Sequence, residues 1–259
     1  MSEDFALTRA GKRIYVDPTD PRAGHLQAAQ GDFNPGSLRL WERALGLWHW
    51  QVVVDVGVNY GEMLVGPELP RGARVIGFEP NLDLHPFLRR TLAEAGLDVE
   101  ISDRAVADHA GSAVFAVDHD WSGTSSLLEV RSAGGHTTTV TVPVTTLDEA
   151  LADAPGAVCV KVDVEGAEPA VLAGARALMT EREHWAIMLE VHHLPATTLA
   201  TWADQQTVLL MDRRTSGLIK LPGRDPMLAA DLLGASWLYP QDCLMVSPAI
   251  AEVAWEVAA

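Results

Sequence analysis

Short apolar runs alternate along this chain with segments whose apolar positions recur at three- and four-residue intervals. The first run covers 51–56 and ends in Asp-Val-Gly, and the second covers 74–78 and ends in Glu-Pro. Leu84, Phe87, Leu88, Leu92 and Ala95 share one face of a helix expected over 84–95, which Gly96 stops. Runs at 99–102, 157–162 and 186–191 predict strands three, four and five. A short helix is expected over 60–69, and another from the end of strand four through Leu178. This alternation is the signature of βαβ units, so a doubly wound, Rossmann-like α/β fold with a mostly parallel central sheet is expected. Further strands are expected at 114–117 and 139–144, the latter alternating with period two. A short helix over 146–152 has Thr145 or Thr146 as its N-cap. The C-terminal part predicts a helix at 198–205, strands at 208–212 and 218–221, and a closing strand at 243–246. Residues 1–48 hold two helical patterns. The expected organisation is a helical cap over 1–50 packed on a cofactor-binding domain over 51–259, with no linker that forces a separate structural unit.

Composition narrows the function classes. A length of 259 residues suits one large domain or two small ones, and 48% hydrophobic residues can fill its core. Acidic residues outnumber basic ones 35 to 19, giving a formal charge of −16 that repels phosphate backbones and anionic lipid. No nucleic-acid or membrane partner is therefore expected. The opening MSEDFALTRAGKR lacks the apolar core of a signal peptide. No apolar run reaches the roughly 18 residues of a membrane span. Cys159 and Cys243 have neither metal nor disulfide spacing and read as buried thiols in a reducing cytoplasm. Oligomeric state is left open.

The segment VVVDVGVNYGE, 52–62, carries the most chemistry. A strand leads into a turn with glycine at 57 and 61, where a ligand can approach the backbone and where free N–H groups open the next helix. The dinucleotide fingerprint G-x-G-x-x-G is absent. Asp55 in its place would repel a diphosphate and welcome the α-ammonium of S-adenosylmethionine (SAM), whose carboxylate takes the backbone N–H groups. Glu79, at the end of strand two, is placed to accept from both ribose hydroxyls. After strand three, Asp103 accepts from the adenine amino group, or Ala105 does so through its backbone; the alternative for Asp103 is an ordinary turn. The cofactor-binding candidates are thus Asp55, Gly57, Asn59, Gly61, Glu62, Glu79, Pro80, Asn81, Asp103, Ala105 and Asp163.

With these residues in view, the sequence resembles the FkbM family of methyltransferases. The resemblance spans about 52–191 and rests on DVGVNYG at 55–61, GFEPN at 77–81, RAVADHAG at 104–111 and SGTSSL at 122–127. It continues through TTLDEAL at 145–151, KVDVEGAE at 161–168 and LEVH at 189–192. Val58 stands where the family usually has alanine, and Leu82 where it usually has proline. The resemblance implies methyl transfer from SAM, most often to a hydroxyl oxygen of a sugar or secondary metabolite.

Ligands of doubly wound sheets bind beyond the carboxyl ends of the strands. Asp163 and Glu165 leave strand four at that edge and are the candidate general bases and catalytic residues. The alternative is that Glu165 caps the following helix while Asp163 only touches the cofactor. Lys161, set among Val and Cys, would be costly to bury alone, and pairing with Asp55 or Asp163 would relieve it. Asp163, Glu190 and His192 suit magnesium or manganese only in part, so a divalent metal is allowed but not favoured. His192 or His193 is the alternative base. The stretch 121–127 offers hydroxyls to a small-molecule acceptor; Trp41, Trp48 and Trp50 read as core. Three other readings compete: an N-methyltransferase acting on an amino sugar, a non-catalytic SAM-binding protein, and a nicotinamide-dependent oxidoreductase.

Overall fold

The computed structural model describes residues 4–32, 34–127, 135–154, 156–223 and 225–256. The chain opens with a hairpin, β1 (Phe5–Leu7) and β2 (Arg13–Tyr15), then helices α1 (Pro21–Ala28) and α2 (Pro35–Leu45). The first βα units follow: β3 (Val52–Val56), α3 (Glu62–Val65), β4 (Arg74–Phe78), α4 (His85–Ala95) and β5 (Glu100–Ser102). Next come β6 (Ala105–Val106), β7 (Gly111–Asp118), β8 (Thr137–Thr145) and α5 (Leu147–Ala150). The second half holds β9 (Val158–Val162), α6 (Glu168–Ala173), α7 (Arg176–Glu181), β10 (Trp185–Glu190) and α8 (Ala196–Gln205). It ends with β11 (Thr207–Asp212), β12 (Leu218–Lys220), α9 (Pro226–Leu233), β13 (Leu238–Val246) and α10 (Pro248–Glu256).

The central sheet runs β12-β11-β13-β10-β9-β3-β4-β5. Its five strands from β10 to β5 pair in parallel, while β13 inserts antiparallel between β10 and β11. Strand order reverses between β3 and β9, and this switch point opens a crevice at their carboxyl ends. The expected doubly wound α/β architecture is the observed one. All residues of β3 and β9 are buried, as both faces of a covered parallel sheet require. The two-residue period of the strands divides their side chains between two cores. Val52, Val54 and Val56 join α8 on one face; Val53 and Cys159 meet Leu40, Trp41 and Ala44 of α2 on the other. The N-terminal helix α2 thus belongs to the core of the sheet. Cys159 and Cys243 are buried and unbonded to each other, as expected.

Several boundaries differ from the sequence reading. The helix expected over 60–69 is the single turn α3, because Gly61 enters it at φ 91° and Pro67 and Pro70 lack N–H donors. The helix after β9 divides into α6 and α7. At the break Gly174 packs so closely on Ala107 that a Cβ would lie 2.1 Å from its carbonyl oxygen, and Asp148 caps the N–H groups of Ala177 and Leu178. The strands at 111–118 and 137–145 lie outside the central sheet, in a three-stranded sheet ordered β6-β8-β7. The hairpin β1–β2 and helices α9 and α10 had no counterpart in the periodicity. Among the described residues no helix is long and apolar enough to cross a membrane.

Candidate active site

A cleft of about 310 Å³ lies at the carboxyl ends of β3, β4, β9 and β10, a size suited to a small-molecule site. Its floor is the turn after β3. Gly57 sits at φ 83°, and a Cβ there would come 1.9 Å from the carbonyl oxygen of Asp163, so only glycine lets the ends of β3 and β9 meet. Asn59 follows at φ 52°. Its N–H donates to Glu79 Oε2 at 2.8 Å, while the N–H of Asn81 donates to Glu79 Oε1 at 2.9 Å. Glu79 is thereby fixed beside the turn with lone pairs left over for a ligand. Burial pushes its carboxyl up to about 7, against the pull of those two N–H groups.

Of the expected cofactor residues, Gly57, Asn59, Glu62, Glu79, Pro80, Ala105 and Asp163 line the cleft. Asp55, Gly61, Asn81 and Asp103 are not part of its lining. Asp55 is fully buried inside β3, and its Oδ1 lies 3.1 Å from Lys161 Nζ, so its carboxylate serves the sheet interior instead of meeting an ammonium in the cleft. Gly61 gives room to Leu88, which would stand 3.0 Å from a Cβ. The Asn81 side chain caps the next turn by accepting from the N–H of Asp83 at 3.1 Å. Asp103 is exposed, and Arg104, Ala105 and Val106 form the wall where it was expected.

Lys161 bridges both candidate partners. Its ammonium lies 3.1 Å from Asp55, 3.5 Å from Asp163 Oδ2, and donates to the Gly57 carbonyl at 3.2 Å. Burial works to strip its charge, but Asp55 and then Asp163 outweigh burial and hold the ammonium above its ordinary range. Burial lifts Asp55 only to about 6, because Lys161 opposes it.

Beyond β9 the chain turns through Glu165 at φ 55° and Gly166 at φ 102°. A left-handed glutamate is a sparsely populated conformation. Two groups hold it there. The hydroxyl of Ser126 donates to the carbonyls of Val164 and Glu165, and buried Glu168 accepts from the N–H groups of Val164 and Gly166. Glu168 thus braces the turn, the helix that follows has no side-chain cap, and Glu165 is left lining the cleft. Glu165 is pushed up to about 8 by burial and then by Asp163 and Glu168. Glu190 is raised further, by burial and then by Asp163 and Glu165. Asp242, at about 7 through burial, lines the same end and accepts from Ser37 Oγ at 2.5 Å.

Two sets of side chains in this corner bring potential metal-ligating atoms within 4.8 Å of one another: Asp163, Glu165 and Glu190, and Glu190, His192 and His193. The trio expected from sequence, Asp163, Glu190 and His192, is split between them through Glu190.

The expected acceptor stretch does line the cleft, with Trp121, Ser122, Gly123, Thr124, Ser125 and Leu127. Asp118 organises it, accepting from the N–H groups of Asp120 and Trp121 and the hydroxyl of Thr124. Sequence reasoning missed Arg22, Ser37, Gln241 and Asp242. Arg22, from α1, is buried, pairs with Glu62, and donates to Asn59 Oδ1 at 3.0 Å. Ser37 comes from α2, and Gln241 and Asp242 from the middle of β13. The one local signal was polarity: Gln241 and Asp242 precede the apolar run Cys243–Val246.

A family model described as the methyltransferase FkbM domain matches residues 55–212. No curated protein matches the chain in sequence. Solved structures overlap it loosely. The C-terminal domain of precorrin-6Y C5,15-methyltransferase from Rhodobacter capsulatus is 16% identical with a TM-score of 0.42, covering 81% of this chain and 87% of that one. The Geobacter metallireducens precorrin-6Y C5,15-methyltransferase is 14% identical at 0.40, covering 81% and 85%. An O-methyltransferase from Bacillus cereus, in complex with S-adenosylhomocysteine (SAH), is 14% identical at 0.37, covering 84% and 80%.

Proposed function

Because this chain belongs to the FkbM methyltransferase family, and so uses SAM as its methyl donor, we propose that it methylates a hydroxyl of a small-molecule acceptor, a sugar or a secondary metabolite. The observation that carries this reading is the joining of two chemistries in one cleft: Gly57, Asn59, Glu79 and Ala105 at one end, and Asp163, Glu165 and Glu190 at the other.

The first end fits the donor. Glu79 is a buried carboxylate facing the cleft, suited to paired ribose hydroxyls. Ala105, Val106 and Phe115 give an apolar wall for a planar base, and Gly57, Asn59, Glu62 and Asp163 surround the space for an amino-acid group. When bound, SAM supplies an activated methyl group on a sulfonium. The protein's own work is to orient the acceptor oxygen and to take its proton. Asp163 or Glu165 accepts that proton as the oxygen gains its bond to carbon. The acidic end also favours a hydroxyl over an amine. Carboxylates stabilise an amine as its ammonium, which has no lone pair with which to attack. Residues 1–50 act as a cap in this reading, since Arg22, Asn34 and Ser37 close the cleft from that side. The net charge of −16 favours a small acceptor over a nucleic acid.

Mass spectrometry of reactions with a panel of sugars and metabolites tests the acceptor class. A mass gain of one methyl on a hydroxyl is expected; methylation confined to amines would overturn the reading. Glu79→Ala is expected to weaken SAH binding by about 1.5–3 kcal/mol, the scale of a hydrogen bond to a charged group. Calorimetry reads this directly, and unchanged affinity removes the ribose role.

The pH dependence follows from the same carboxyl. Its value rises from 4.5 to about 7 in the folded chain. The folded apo state therefore holds a proton that the unfolded state has lost, and this group's contribution to stability falls as pH rises between those values. Ribose hydroxyls prefer the ionised carboxylate, so SAH affinity is expected to rise with pH up to about 7 and then level off. In Glu79→Gln that slope should disappear.

A further inference from the structure

We propose that the acidic corner of the cleft is a binding site for a hard divalent cation of the magnesium, manganese or calcium type, with Asp163, Glu165 and Glu190 each giving one carboxylate oxygen. The sequence alone offered a mixed carboxylate–imidazole set, which suits such ions only in part. The fold adds an all-oxygen set beside the mixed one, with Glu165, at its left-handed turn, within reach of Asp163 and Glu190. Hard cations take oxygen ligands at about 2.0–2.6 Å, so oxygens on opposite sides of one ion stand about 4–5.2 Å apart. The three carboxylates present oxygens within 4.8 Å of one another, inside that span.

A second observation points to a ligand. Glu190 is only 5% exposed and lines the cleft, yet its Oε2 is buried and accepts no hydrogen bond. Leaving such an oxygen unsatisfied is costly. Its other oxygen accepts from Gln241 Nε2 at 3.3 Å. Two imidazoles stand near this carboxylate, His192 Nδ1 at 3.4 Å from Oε1 and His193 Nδ1 at 3.8 Å from Oε2, the latter too far for a hydrogen bond. The His193 ring is held on its other side: its Nε2 lies 2.8 Å from Glu168, a fully buried carboxylate. Glu168 thus orients the ring from behind and leaves Nδ1 on the Glu190 side. Nearby cations are engaged elsewhere. Lys161 is shared among Asp55, Asp163 and the Gly57 carbonyl, and Arg22 pairs with Glu62. A divalent ion would relieve the mutual repulsion of the carboxylates, and one that also met the acceptor oxygen would make its proton easier to remove. That last role rests on the hydroxyl reading above; the binding site itself does not.

The test uses the full chain, stripped with EDTA and titrated with manganese(II) chloride while the EPR signal of the free ion is followed. One ion bound per chain is expected. Glu190→Gln and Glu165→Gln should each weaken binding roughly 10-fold or more. SAH binding by each variant reports that it has folded, and if Glu190→Gln fails that check, the half-buried Glu165 position decides. A wild-type chain that binds SAH but leaves the free manganese signal unchanged overturns the site. So do variants that take up manganese as the wild type does. Manganese uptake without hydroxyl methylation would defeat the acceptor reading and leave the site standing. Hydroxyl methylation that EDTA does not touch, in a chain that takes up no manganese, would remove the site alone.

Discussion

Replacing Asp163 by asparagine is expected to lower turnover by about 10²- to 10⁴-fold, the range of a lost general base. The carboxylate stands at the junction of the two ends of the cleft, 35% exposed, with Oδ2 3.5 Å from Lys161. Asparagine keeps its shape and loses its capacity to take a proton. Turnover and SAH affinity must be measured together, because they separate action on the acceptor, as base or as cation ligand, from a contact to the donor. A fall in turnover with SAH affinity nearly intact identifies a group acting on the acceptor. A parallel loss of SAH affinity identifies a contact to the donor. Near-normal turnover would move the proton to Glu165, and Glu165→Gln would then carry the loss.

The second large effect is on stability. Lys161→Met should destabilise the fold by about 3–5 kcal/mol, the cost of leaving a buried charge without its partner. Asp55 is fully buried, and neither of its oxygens accepts a hydrogen bond apart from the ion pair with Lys161. Methionine fills the space of the lysine stem and removes the charge alone. Urea denaturation reads the change. The double variant Asp55→Asn with Lys161→Met should recover much of the loss, because no uncompensated carboxylate then remains in β3. If the double variant is as unstable as Lys161→Met, the cost lies in packing and the buried pair is not its cause.

This pair also shows where sequence and structure part. Asp55 in a glycine turn suggested an ammonium contact, and Lys161 within an apolar strand suggested pairing with Asp55 or Asp163. Both residues were singled out. Only the register of β3 against β9, which sets Asp55 directly opposite Lys161, decides that the two satisfy each other inside the sheet. The carboxylate at Glu168 gives the same lesson from the other side. The alternative role weighed for Glu165, a cap of the following helix, is not the one it takes: Glu168 accepts from the N–H groups of the turn, and the left-handed backbone at 165 cannot be read from the residue type.

The chain by itself determined the succession of the five parallel strands, the doubly wound class and the family, since these rest on local periodicity and on short motifs contiguous in sequence. It also marked Gly57, Asn59, Glu79, Ala105, Asp163 and Glu165, all of which line one cleft. Tertiary structure alone decided which acids face solvent-filled space and which are sealed in the sheet. It alone brought Arg22 from α1, Ser37 from α2 and Gln241 and Asp242 from β13 to the same cleft. The physical reason is that these contacts join elements up to two hundred residues apart, as in the Ser37–Asp242 hydrogen bond, whose sequence separation is 205. No local pattern of polar and apolar positions encodes a pairing at that distance; strand register and packing do.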